Sequence, residues 1–148
     1  MTRDISRRSI LKTTAAVGAA SALPMMPFAA EAGDEIIVGG LHDLSGFIDF
    51  AGIPMNQIML MAIEEINAAG GLLGKKLKGV VYDPQTKMAL YSQYATQLAL
   101  KDKASVVMGG ITSASRETIR PILHRYKTLY FYNTLYEGGV CDRNEISL

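Results

Sequence analysis

The sequence predicts an α/β fold, a doubly wound and mostly parallel sheet, from three observations. Short apolar runs alternate with stretches of helical period in the order βαβαβαβ. The runs are apolar throughout rather than at every second residue, as in strands covered on both faces. Gly, Pro, Asp and Ser collect between the elements, where turns belong. Right-handed crossovers then give the strand order 2-1-3-4.

The first strand is EIIVGGL, residues 35–41, followed by the loop HDLSGFIDFAG over 42–52. Pro54 suits the first turn of a helix, in which Met55, Ile58, Met59, Ala62, Ile63 and Ile66 recur at helical spacing until Gly70-Gly71 ends it. LKGVVYD (77–83) is a second strand, closed by Pro84. A helix over 88–102 carries Tyr91, Tyr94, Ala95 and Leu98 along one face. ASVVMGG (104–110) is a third strand, SASRETIRPILHRY (113–126) a third helix bent at Pro121, and TLYFYN (128–133) a fourth strand.

The segment before the first strand is of a different kind. SRRSILK (6–12) places twin arginines ahead of a mild Ala/Gly-rich stretch, and a small-residue exit, AEA, ends at Ala32. This pattern is an export signal of the twin-arginine type, spanning 1–32 and cleaved near Ala32, with residues 33–148 forming the exported domain. The twin-arginine machinery is thus an expected partner and the periplasm the expected location. The chain holds 15 basic and 14 acidic residues, and no basic patch that would address nucleic acid. Its single cysteine, Cys141, has no internal partner in an oxidising compartment.

In an open parallel sheet, ligands bind beyond the carboxyl ends of the strands, where the strand order reverses. The loops expected there are HDLSG (42–46), GGITSAS (109–115) and NTLYEGG (133–139). They are rich in hydroxyls, amides and rings, which suit a small polar solute. Ser113 and Ser115 open a helix, where they can cap it, bind an anion or carbonyl, or do both. Alternation along the strand puts Tyr130 and Tyr132 on one face and Phe131 on the other; Tyr130 reads as core, and Tyr132, at the strand end, as part of the site. Asp43 and Glu137 are either ligand groups or, as is more common, surface or turn carboxylates.

Signatures of catalysis are missing. There is no G-x-S-x-G elbow, no dinucleotide fingerprint and no phosphate-binding loop, and His42, His124 and Cys141 have no metal-ligand spacing, so neither cofactor nor metal is expected. An exported α/β hydrolase acting on small amides, with His42 or Asp43 as base, stays open as the alternative.

IIVGGLHDLSG, AIEEINAAGGLLGKKL, DPQT, VVMGGITSASRETIRPI and FYNTLYEGG together resemble the periplasmic solute-binding proteins of ABC importers, of the type I, Leu/Ile/Val-binding kind. TSASRETIRP and YNTLYEGG are most similar to the urea and short-chain amide branch, although Ile111 stands where that branch often has an aromatic residue. The resemblance covers nearly all of 35–144 and implies the N-terminal lobe of a two-lobed clamp, a fragment of such a protein. It implies a bound urea, short amide or branched-chain amino acid, delivered to a membrane permease and its ATPase. Carried onto this chain, its solute contacts fall on Ser45, Ser113, Tyr132, Thr134 and Tyr136.

Overall fold

In the computed structural model, residues 35–138 and 145–147 are described. The export signal and Cys141 lie outside them. The elements follow the order β1 (Ile36–Leu41), α1 (Asp49–Ala68), β2 (Leu77–Tyr82), α2 (Met88–Leu100), β3 (Val106–Gly109), α3 (Ser113–Arg125), β4 (Leu129–Tyr132) and β5 (Glu145–Ser147). Among the described residues they build a five-stranded sheet of order β2-β1-β3-β4-β5. Every named pairing is parallel, with Val38 facing Gly79 on one side and Val106 on the other.

The order 2-1-3-4 is therefore the observed one, extended by β5. The sequence reading stopped at β4, because three residues, Glu-Ile-Ser, are too short a run to carry a strand period. Backbone pairing to β4 defines β5, with Tyr130 opposite Glu145 and Tyr132 opposite Ser147.

Alternation along the strands divides the interior into two layers. Leu41, Val107, Tyr130 and Tyr132 pack with Tyr91, Ala95 and Leu98 of α2 and Ile119 and Leu123 of α3. On the opposite face, Val38 and Leu77 pack with Met59 and Ile63 of α1. There the sheet also forms an apolar groove of about 400 Å³, bordered by Ile58 and Met59 of α1 and by Val106, Met108 and Phe131 of the strands.

Helix α1 begins at Asp49, five residues before Pro54, so the expected start was late. The Ile48 carbonyl accepts from the N–H groups of Ala51 and Gly52 and starts the helix, and Pro54 sits inside it. Proline's missing donor leaves the Phe50 carbonyl without its helical partner at an exposed residue, where water can serve.

That early start depends on Gly52. A Cβ placed there would lie 1.9 Å from the Asp43 carbonyl oxygen, so the helix meets the end of β1 only through a residue without a side chain. An alanine in a solvated helix normally gains about 1 kcal/mol over glycine. Overpacking should reverse the sign here, so Gly52→Ala is expected to destabilise the chain by about 1–3 kcal/mol. Urea denaturation measures it, and a stabilised variant would contradict the close approach.

Candidate functional site

The rim at the carboxyl ends of the strands is assembled from buried acceptors. Asp43, two residues past β1, is fully buried. Its Oδ1 accepts the Thr86 N–H at 2.6 Å and its Oδ2 accepts the Tyr91 hydroxyl, so one carboxylate ties the β1–α1 loop to the β2–α2 loop and to α2. Burial, and then the bond to Asp43, push the Tyr91 hydroxyl well above its ordinary pKa. Asp43 is thus neither a surface carboxylate nor a free ligand group, because both oxygens are spent inside the protein.

Asp83, following β2, does the same for the neighbouring loop. It accepts the Leu44 N–H at 3.0 Å, the Gln85 N–H at 3.0 Å and the Ser45 hydroxyl at 2.6 Å. Burial alone would raise its pKa; the Ser45 hydroxyl and the backbone donors outweigh it and hold the carboxyl below its usual range. Ser45 is exposed, with its proton directed to Asp83, which leaves the hydroxyl oxygen as an acceptor.

The β3–α3 loop turns sharply at Gly109, whose φ of +126° favours glycine and whose added Cβ would meet the Leu41 carbonyl at 2.2 Å. The next residue, Gly110, donates its N–H to that carbonyl at 2.9 Å. Helix α3 is then capped by Thr112 rather than by Ser113. The Thr112 Oγ1 accepts the Ser115 N–H, and the Ser115 Oγ accepts the Thr112 N–H, each at 3.1 Å. The Thr112 carbonyl takes the Arg116 N–H at 3.0 Å. This box leaves the N–H groups of Ser113 and Ala114 as the first-turn donors without an intrahelical partner.

Tyr132 is fully buried and donates its hydroxyl to the Ile111 carbonyl at 2.8 Å, and Tyr130 donates to the Gly109 carbonyl at 2.9 Å. Thr134, half-buried, donates to the Gly110 carbonyl at 3.1 Å. Two tyrosines and a threonine from one segment therefore hold the β3–α3 loop from beneath. Tyr130 is core, as expected, and Tyr132 stands behind the rim with its ring out of solvent.

Arg116, a residue that the sequence reading did not select, joins the remaining pieces. Its guanidinium lies 5.1 Å from the centroid of the Tyr132 ring and 5.3 Å from that of Tyr136. Nη1 and Nη2 donate to the two oxygens of Glu137 at 3.0 and 2.9 Å, and Nε donates to Glu117 at 3.2 Å. Arg116 first and the Ser113 hydroxyl second lower the Glu137 carboxyl from 4.5 to about 2. Glu137 is therefore held in a pair, not presented as a free ligand group. The signal for Arg116 was present: a cation near the positive end of a helix opposes the dipole and calls for a carboxylate.

The structure thus brings Ser113, Thr134, Tyr136 and Tyr132 together around Arg116 and the β3–α3 loop. Ser45 lies on the same edge of the sheet but is bonded to the β2 side, across the point where the strand order reverses. Among the described residues, no group of three His, Cys, Asp or Glu side chains gathers as a metal centre.

His42 is not placed to act as a base. It is 1% exposed, borders the apolar groove, and neither ring nitrogen has a hydrogen-bond partner among the described residues. Burial lowers its pKa from 6.5 to about 4. None of the residues bordering the groove is charged, so no neighbour offsets this cost. Unfolded chains take up the proton below about pH 6.5 while the folded chain resists until about 4, so stability should fall as the pH drops through that window, by a total on the order of 3 kcal/mol. Urea midpoints across the window should show this fall in the native chain and lose most of it in His42→Leu; identical pH profiles would rule the histidine out as the cause.

Residues 36–147 match the periplasmic binding protein domain family, and residues 4–24 match the twin-arginine translocation signal. Among solved structures, the chain is similar to the branched-chain amino acid transporter substrate binding protein of Streptococcus pneumoniae, crystallised with isoleucine. Identity there is 25% with a TM-score of 0.68, over 71% of this chain and 30% of that one. A possible leucine/isoleucine/valine-binding protein from Rhodopirellula baltica is 26% identical with a TM-score of 0.62, over 66% of this chain and 27% of that one. A putative branched-chain amino acid ABC transporter from Silicibacter pomeroyi is 26% identical with a TM-score of 0.60, over 66% and 25% respectively. The chain spans less than a third of the length of each.

Proposed function

The chain belongs to the periplasmic binding protein domain family, and from that premise we propose that it is the first lobe of an ABC importer's receptor for a small, uncharged polar solute of the urea or short-amide class. It carries a twin-arginine signal and is an exported, periplasmic protein. The family is one of binding proteins rather than enzymes, which agrees with an Asp43 whose oxygens are both engaged and a His42 sealed in an apolar groove.

One observation carries the solute class: the charged side chains that meet the Ser113–Tyr136 rim, Arg116 and Glu137, are paired with each other. What remains for a guest is neutral. The Ser113 and Ala114 N–H groups would receive its carbonyl oxygen, and the Ser113 and Ser45 hydroxyl oxygens would accept from its N–H groups. Thr134 and Tyr132 fix the loop that presents these donors, and Tyr136 walls the rim. Closure of a second lobe over the guest, and reading of the closed form by a permease and its ATPase, complete the proposal.

A branched-chain amino acid is the second reading, favoured by the isoleucine in the Streptococcus pneumoniae structure. Titration of the isotopically labelled chain with acetamide, urea and isoleucine separates the two by NMR. Amides of Ser113, Thr134 and Tyr136 should shift with acetamide or urea, and Ser113→Ala should weaken that binding about fivefold, the equivalent of one net hydrogen bond of about 1 kcal/mol. Shifts at the same amides with isoleucine alone would transfer the site to the amino-acid class. Saturable shifts that all fall outside this rim would remove the proposal.

A further inference from the structure

Arg116 and Glu137 differ in a way that an ordinary surface pair does not. The Arg116 side chain is 4% exposed, whereas that of Glu137 is 50% exposed. The cation is therefore built into the lobe, and the anion arrives from the solvent side, out of the loop that follows β4. The guanidinium is also held independently of Glu137: it springs from α3, lies against the rings of Tyr132 and Tyr136, and gives its Nε proton to Glu117. Its two remaining nitrogens present the planar fork that matches a carboxylate, and both oxygens of Glu137 fill it.

We propose that Arg116 is a ready-made carboxylate seat which Glu137 occupies from within, and that this occupancy is the device that excludes anionic solutes from the rim. The inference rests on the reading of the rim as a solute site and adds the residue that sets its charge selectivity. Glu137 acts as a resident competitor: it is tethered to the segment already fixed by Thr134 and Tyr132, so a free carboxylate must displace a neighbour with a high effective concentration. With Glu137 absent, the lobe would hold a buried guanidinium with an open fork, which is costly when left unpaired.

This makes the seat testable by chemical rescue. Glu137→Ala deletes a CH2–COO⁻ group, which is acetate less one hydrogen. Thermal unfolding of the native chain, E137A and E137Q is measured in acetate, in acetamide and in chloride at equal ionic strength. Acetate should raise the midpoint of E137A by about 4–8 °C over chloride. Acetamide should not do so, and the native chain should show no acetate preference. The rescue should vanish in the double variant R116M/E137A, which assigns it to the guanidinium. If E137A is unfolded in chloride, recovery of its circular dichroism in acetate reads the same quantity, and E137Q, which keeps the side-chain length but not the charge, should respond less than E137A because its amide still fills the space. Equal midpoints, or equal lack of structure, in acetate and chloride would overturn the seat. That outcome is separate from failure of the solute reading, which would appear as a native chain whose rim binds neither amide nor amino acid.

Discussion

The geometry of the rim depends on a single buried carboxylate. Parallel strands end in loops that have no ladder to order them, and loops are the part of an α/β unit most free to differ in conformation. Asp43 removes that freedom by accepting from a backbone N–H on the next loop and from a hydroxyl on α2. A buried carboxylate without partners would be expensive, so these bonds are conditions of its presence rather than additions to it. Gly52 belongs to the same constraint, because α1 can start where it does only if nothing projects from that position into the Asp43 backbone. Asp43 and the missing side chain at Gly52 fix the two ends of the β1–α1 loop, and Asp83 holds Leu44 and Ser45 between them.

On the other side of the strand-order reversal, the same task is done with different chemistry. Hydroxyls from β4 and the residues after it reach the carbonyls of Gly109, Gly110 and Ile111, three successive acceptors at the end of β3 and on the loop that follows it. The loop cannot move without breaking bonds to buried tyrosines, so the first turn of α3 is presented rigidly. Thr112 and Ser115 satisfy each other's backbone donors and leave the N–H groups of Ser113 and Ala114 without an intrahelical partner. The rim therefore combines a fixed backbone with a small, defined set of unpaired groups, which is how binding sites on rigid scaffolds obtain specificity.

Much of this was legible in the sequence, and the part that was not has a physical pattern. Continuous apolar runs such as Val106–Gly109 and the helical period of Tyr91, Ala95 and Leu98 fixed the layers, because burial acts on every residue of an element at once. The alternation of Tyr130, Phe131 and Tyr132 was readable for the same reason: the tyrosines enter the α2–α3 layer and Phe131 borders the groove opposite. Pairings between distant residues were not readable. Asp43 meets Tyr91 across 48 positions and Arg116 meets Glu137 across 21, with no local period to announce either. The cap of α3 failed for a smaller reason, since Thr112, Ser113 and Ser115 are all competent caps and only backbone geometry selects Thr112. Strand β5 was missed because three residues carry no period at all.

On the proposed reading, the neutrality of the rim also bears on what a single lobe can do by itself. Two backbone donors and a few hydroxyl lone pairs can form about three hydrogen bonds to a guest, each worth on the order of 1 kcal/mol net. Three such bonds amount to about 3 kcal/mol, a dissociation constant of roughly several millimolar before any of the cost of immobilising the guest is counted, so such a surface alone holds a solute weakly. With Arg116 and Glu137 spent on each other, no long-range attraction raises that figure. On the proposed reading, tight capture must come from a second surface that closes over the first and removes water from both, which strengthens the same few bonds. On that same reading a neutral half-site would be an advantage for signalling: solute would add little until closure, so affinity and closure would be supplied together, and a permease that senses the closed form would respond to loaded receptor rather than to receptor alone.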